Sequence, residues 1–223
     1  MTAGADTLDH PGARHPVLGR WVLATAAGTL LGTAACATLF AIGAATVRAV
    51  PGPAATVVMF AFTAVAAVAA GSVLGLAQSL ILAAHLDLRA GAWVLATAGG
   101  ALVAVVVTMI VGAKVSAAPL DATSLTVASA AGGALVGAVI GGAQWIVLSR
   151  SLARAAGWIA ASVVGWGVGV VLATRAVVLL GASTSLPEIV GLVGAGGAAL
   201  GLTLGAVTGM WLARATTGPG DHA

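Results

Sequence analysis

Residues 21–47 read WVLATAAGTLLGTAACATLFAIGAATV and contain no charged side chain. A helix rises about 1.5 Å per residue, so about 20 residues cross a hydrocarbon core of ~30 Å. The stretch is long enough, and five others match it: 49–84, 90–113, 122–149, 155–174 and 189–213 are all charge-free. In lipid every backbone N–H and C=O must find a partner inside the protein, which leaves helices and closed barrels as the spanning structures. Barrel strands alternate over segments of about ten residues. These runs are unbroken, so they read as helices.

Composition agrees. Of 223 residues, 60% are hydrophobic and 7% charged, with a mean hydropathy of +1.12. A soluble domain carries roughly 25% charged residues to wet its surface. The expected class is therefore an all-α integral membrane protein of about six transmembrane helices. The boundaries are predicted at 21–47, 54–84, 92–114, 122–149, 157–180 and 187–213, with Pro51-Gly52-Pro53, Pro119-Leu120-Asp121 and Ser185-Leu186-Pro187 at turns. Residues 1–19 and 215–223 are expected to be polar cytoplasmic tails, the first disordered, around a membrane domain over 20–214. Asp6, Asp9, Pro11 and Pro16 precede an apolar run too long for the core of a cleavable signal, so that run is expected to stay as a spanning helix.

Positive charge orients the chain. Arg14, Arg20, Arg89, Arg150, Arg154 and Arg214 fall on the side of the termini, against Arg48, Lys114 and Arg175 on the other. The cytoplasmic side of a membrane protein holds the excess of Lys and Arg, so both termini are expected there. Eight Arg against one Lys, no Asn and abundant Ala and Gly point to a GC-rich bacterial genome, hence to a bacterial plasma (inner) membrane.

The chain also repeats itself. WVLATAAG at 21–28 returns as WVLATAGG at 93–100, and a weaker copy begins at Trp158, keeping Ala161 and Gly165. Gly71, Val73, Gly75, Ala77, Gln78 and Leu82 return as Gly137, Val139, Gly141, Ala143, Gln144 and Leu148. A two-helix period restores the same orientation each time, so three parallel hairpins are expected, about 20–91, 92–156 and 157–214, around an axis along the membrane normal. At the same spacing Met210 takes the place of Gln144, which breaks a ring of three polar groups.

Gly141 to Arg150 reads Gly-Gly-Ala-Gln-Trp-Ile-Val-Leu-Ser-Arg, followed by Gly157-Trp158-Ile159-Ala160-Ala161-Ser162. This resembles a family of uncharacterised bacterial multi-pass membrane proteins with repeated Gly-x-x-Gln-Trp-Leu-Val-Leu-Arg segments followed by Gly-Trp-Trp-Val-x-Ala-Thr. The copy at 75–82 keeps Gln78 but has Ser79 for the tryptophan. The resemblance implies the same architecture and adds no chemistry.

Candidate functional residues are few. Glycines four apart recur as Gly71 and Gly75, Gly137 and Gly141, and Gly197, Gly201, Gly205 and Gly209, each set forming a groove in which helix backbones approach closely. Such a groove serves packing first, and a permeation path or oligomer interface second. Gln78 and Gln144 share a face with these glycines, and an amide in lipid must find a partner. An interhelical clamp is the expected role, a ligand contact the alternative. Arg175 interrupts an apolar helix, with Glu188 as the available partner; the competing reading is an arginine near the outer end, snorkelling to the headgroups. Lys114 and Asp121 bracket a loop where they can pair. Trp21, Trp93, Trp145, Trp158 and Trp211 fall near helix ends and are expected to form an interfacial belt, with Trp166 packed deeper. Cys36 is the single cysteine and reads as a small apolar residue.

His10, His15, His85 and His222 make no metal-ligand spacing with Cys36 or the acids, and no Ser, His and acid are placed for nucleophilic catalysis. No enzyme activity, cofactor, metal or nucleic acid is expected. The partners expected are the lipid bilayer and a homo-oligomer or another membrane protein. A structural or interaction role leads, with a channel or transporter for a small solute as the alternative.

Overall fold

The computed structural model describes residues 15–115, 121–152, 154–180 and 186–216, without the side chains of 15–16, 112–115, 180 and 186–190. Six helices account for nearly all of it: α1 His15–Val47, α2 Pro53–Leu82, α3 Ala90–Val115, α4 Ala122–Leu148, α5 Gly157–Leu180 and α6 Leu186–Ala215. Each contains an apolar segment long enough to cross a membrane, from Ala90–Val111, the shortest, to Val17–Val47, the longest. The chain is a multi-pass membrane protein.

Helix α1 starts at His15, several residues before the expected edge. Pro16 falls in its first turn, where the missing N–H would have no helical partner and the fixed φ already suits the helix. Pro53 opens α2 in the same way, after Gly52 at φ 66°. That left-handed backbone turns the chain between two prolines, and glycine adopts it without a Cβ clash. Residues 116–120, including Pro119, and Ser185 lie outside the described residues.

The helices form a ring in chain order. Each packs on the next, α1 on α2 through to α5 on α6, and α6 closes on α1. The outer surface is apolar: Leu23, Leu80, Leu95 and Leu179 stand exposed. The interior at one end holds polar residues, among them Thr25, Gln78, Thr97, Gln144, Ser162 and Thr208. A water-soluble bundle has the opposite arrangement. Here lipid is the outer solvent, and polar groups retreat to where they can bond one another.

Packing is uneven along the axis. The buried cluster of Trp21, Leu82, Trp93, Leu148, Trp158 and Leu212 lies where α1, α3 and α5 begin and α2, α4 and α6 end. Toward the other end, no described residue in 44–65, 105–132 or 170–195 is buried. The ring is tight at the tryptophan end and loose at the far end.

Candidate functional site: a polar lock beneath an apolar cavity

Glycine sets the spacing that brings the polar residues together. On α2, a Cβ on Gly71 would meet the Ala98 Cα at 2.8 Å, and one on Gly75 the Val94 Cα at 3.0 Å. On α4, Gly137 would meet the Ser162 carbonyl oxygen at 2.5 Å and Gly141 the Ser162 Cβ at 2.6 Å. On α6, Gly197 faces the Thr33 hydroxyl at 3.0 Å, Gly201 the Ala26 Cα at 2.7 Å, Gly205 the Val22 Cα at 3.0 Å and Gly209 the Trp21 ring at 2.7 Å. All eight lie at seams between helices of this one chain. They are therefore occupied internally and leave no groove free for a second copy.

Three residues beyond Gly75, Gly141 and Gly205 stand Gln78, Gln144 and Thr208, all buried. Each accepts an indole hydrogen from the next helix around the ring. The Trp93 Nε1–H donates to Gln78 Oε1 (3.3 Å), Trp158 to Gln144 Oε1 (3.0 Å) and Trp21 to Thr208 Oγ1 (3.0 Å). The amide nitrogens reach back to the preceding helix, and that of Gln144 also to α2. Gln78 Nε2 donates to Thr25 Oγ1 (3.4 Å), and Gln144 Nε2 to Thr97 Oγ1 (2.9 Å) and Gln78 Oε1 (3.4 Å). Among the described residues no buried side-chain polar atom lacks a partner.

These contacts also cross the ring. Helices α2 and α4 are not neighbours, yet Gln78 and Gln144 bond. Helices α1, α3 and α5 are not neighbours either, yet Trp158 meets Trp21 at 5.8 Å and Trp93 at 5.6 Å between centroids, edge to face, and Trp211 at 5.5 Å. Three indoles over two amides and a hydroxyl therefore fill the axis at this end.

Two sequence expectations change. Trp21, Trp93 and Trp158 are interior residues, 0–1% exposed, not members of an interfacial belt. Each N–H finds an acceptor inside the ring, which lets the whole ring system leave the headgroups. Trp145 stays exposed, as a belt residue would, and Trp211 is half-buried against Trp158. Further, Thr208 rather than Met210 takes the third position. Gly205 follows Gly141 by two residues fewer than Gly141 follows Gly75, so a fixed spacing selects the outward-facing Met210. Thr208 is hard to find in sequence, since a helical threonine commonly bonds its own backbone, and Thr208 also donates to the Leu204 carbonyl (2.6 Å).

Arg175 is half-buried and staples two helices. Its guanidinium donates to the Ala122 carbonyl (3.2 Å) and to the Thr126 hydroxyl on α4, one turn from a Ser129–Thr174 hydroxyl pair (3.2 Å). The side chains of Glu188 and Lys114 lie outside those described. Asp121 caps α4, accepting from the Ser124 N–H (2.6 Å). That backbone donor, aided by the Ser124 hydroxyl, holds its carboxyl below the usual carboxylate range.

Beyond the lock, toward the loose end, all six helices line a partly enclosed cavity of about 250 Å3. Its walls include Leu74, Ile140, Trp166, Leu200 and Cys36, and Thr97 belongs to both cavity and lock. The lock consists of amides, hydroxyls and indoles. It can hold helices together and exclude water, and it has no group that exchanges a proton near neutral pH. Among the described residues no three of His, Cys, Asp and Glu come together as a metal site would require.

No protein-family model matches the chain, and neither does a curated protein or a solved structure.

Proposed function

We propose that this multi-pass protein has a structural or interaction role in a bacterial plasma membrane, exerted through a helix ring sealed at its cytoplasmic end. The ring is three like-oriented hairpins about a pseudo-threefold axis, with both termini in the cytoplasm. The pattern of Gly, acceptor and indole, repeated from α2 to α3, from α4 to α5 and from α6 to α1, supports the hairpin reading. The excess of arginine on the side of the termini supports the orientation. The protein partner is another membrane protein or a second copy, met on the lipid-facing surface, because the glycine seams are occupied within the chain. No catalytic role is assigned.

The observation that carries the reading is the lock. Indoles from alternate helices touch across the axis, over glutamines bonded to each other, so the ring offers no aqueous path through this end. The alternative role, a channel or transporter for a small solute, draws support from the cavity alone. Purified protein in liposomes separates the two. The sealed reading predicts water, ion and neutral-solute permeation equal to protein-free liposomes. Solute flux well above that background, lost in Gln144→Leu, would establish the transport role instead.

A further inference from the structure

We propose that the cavity above the lock is a binding site for a hydrocarbon chain, a role that goes beyond packing. Four of the hydroxyls on its wall already donate to their own helices: Thr29 to the Thr25 carbonyl (2.8 Å), Thr33 to Thr29 (2.6 Å), Thr97 to Trp93 (2.9 Å) and Thr108 to Ala104 (2.8 Å). The Cys36 thiol points its hydrogen at the Ala66 carbonyl (3.4 Å). The remaining wall is aliphatic or aromatic, with Leu74, Ile140 and Trp166 prominent. A buried water needs two to four polar partners, and this wall gives it no free donor, only the oxygens of four threonines that already donate elsewhere, amid an otherwise apolar lining. A polar solute would lose its hydration and gain no donor. A hydrocarbon loses nothing and gains dispersion contacts that an empty cavity forgoes.

Size narrows the ligand. A cavity of about 150 Å3 takes a six-carbon ring, so by proportion 250 Å3 takes about ten carbons. That is the end of an acyl or isoprenoid chain, or a small free lipophile. Access fits the same chemistry. The cavity lies toward the side where 44–65, 105–132 and 170–195 contribute no described buried residue, so no packed core closes the approach to it from that end. The lock forms the floor, and Thr97 joins the two, accepting from Gln144 below while lining the cavity above.

Photolabelling tests the site. The protein is placed in phosphatidylcholine nanodiscs and exposed either to decyl diazirine or to phosphatidylcholine carrying a diazirine at the end of one acyl chain; labelled residues are mapped by mass spectrometry. The site predicts label on inward Leu74 and Ile140 as well as on outward Leu80 and Leu95, with the inward label alone competed by unlabelled decane. Filling the cavity with Val136→Phe lowers inward labelling about ten-fold and leaves the outward label unchanged. Val105→Phe, from another wall, serves if the first variant does not fold. Inward label from the lipid-borne probe identifies a lipid tail as occupant; inward label from decyl diazirine alone identifies a free lipophile. Label confined to outward residues, or inward label undiminished in a folded filled variant, overturns the proposal.

Discussion

Gln144 ties α4 to three other helices: it accepts from Trp158 and donates to Thr97 and Gln78. Interhelical hydrogen bonds in membranes average about 0.6 kcal/mol, and an indole left without an acceptor adds a further loss, so Gln144→Leu is expected to cost about 2 kcal/mol or more. Trp158→Phe breaks the same bond from the other side. The double variant is therefore expected to cost less than the sum of the singles, read by reversible unfolding in mixed micelles. Additive costs would mean that the two side chains do not interact. Glycines offer a second test. A Cβ at Gly137 lies 2.5 Å from the Ser162 carbonyl, whereas one at Gly142 meets nothing within 4 Å. Gly137→Ala is expected to destabilise by about 1–3 kcal/mol, as overpacking does, and Gly142→Ala to be neutral or mildly stabilising. Similar effects at both positions would contradict the seam. At this scale the sequence was partly legible. A glutamine amid hydrocarbon stands out because lipid cannot solvate it. The tryptophans misled because position near a helix end suits both an interfacial anchor and an interior donor. Trp21, Trp93 and Trp158 each have a hydroxyl four residues on, Thr25, Thr97 and Ser162, but exposed Trp145 has Ser149 at the same spacing, so that recurrence could not sort interior donor from anchor.

Helix limits were legible where charge or proline marks the edge of the hydrocarbon, as at Arg48 and Pro53. They were less so at α1, because Pro16 looks like a breaker yet suits a first turn. Helix α4 begins at a cap that responds to pH. Asp121 is held below its ordinary carboxylate range, chiefly by the Ser124 N–H. A lowered folded-state pKa means that the cap contributes above the unfolded value and is lost as pH falls through the folded one. The first turn of α4 is therefore expected to fray on acidification below the ordinary carboxylate range. Hydrogen exchange at the Ser124 amide, corrected for its intrinsic rate, should accelerate there, and Asp121→Asn, which also caps, should remove that dependence. A corrected rate that is flat with pH in the parent protein would show that the carboxylate does not hold the turn. Arg175 braces this same end of α4 from α5, through a carbonyl and a hydroxyl. Neither partner is charged, so a search for opposite charges could not find them.

For the molecule as a whole, class and helix number were legible because lipid imposes them. A chain with 7% charged residues and six long charge-free runs has to cross a bilayer repeatedly. Neighbouring helices in the ring follow from short loops. The seam between α6 and α1 does not, since no local pattern reports which distant helix a glycine face meets, and the two-residue shift in the third unit obscured the one available clue. That seam decides whether the six helices form a closed ring with a sealed end or an open row. Thr33 and Gly197 face each other across it, with a Cβ on Gly197 at 3.2 Å from that of Thr33. Disulfides join residues whose Cβ atoms lie about 3.5–4.5 Å apart, within a small adjustment of this pair. The direct measurement is oxidation of Thr33→Cys with Gly197→Cys, in a Cys36→Ala background in membranes, followed by denaturing electrophoresis with and without reductant. The closed ring predicts an intramolecular bond, seen as a compact monomer whose mobility reverts on reduction; a ladder of linked chains, or two thiols still free beside a folded protein, would contradict it.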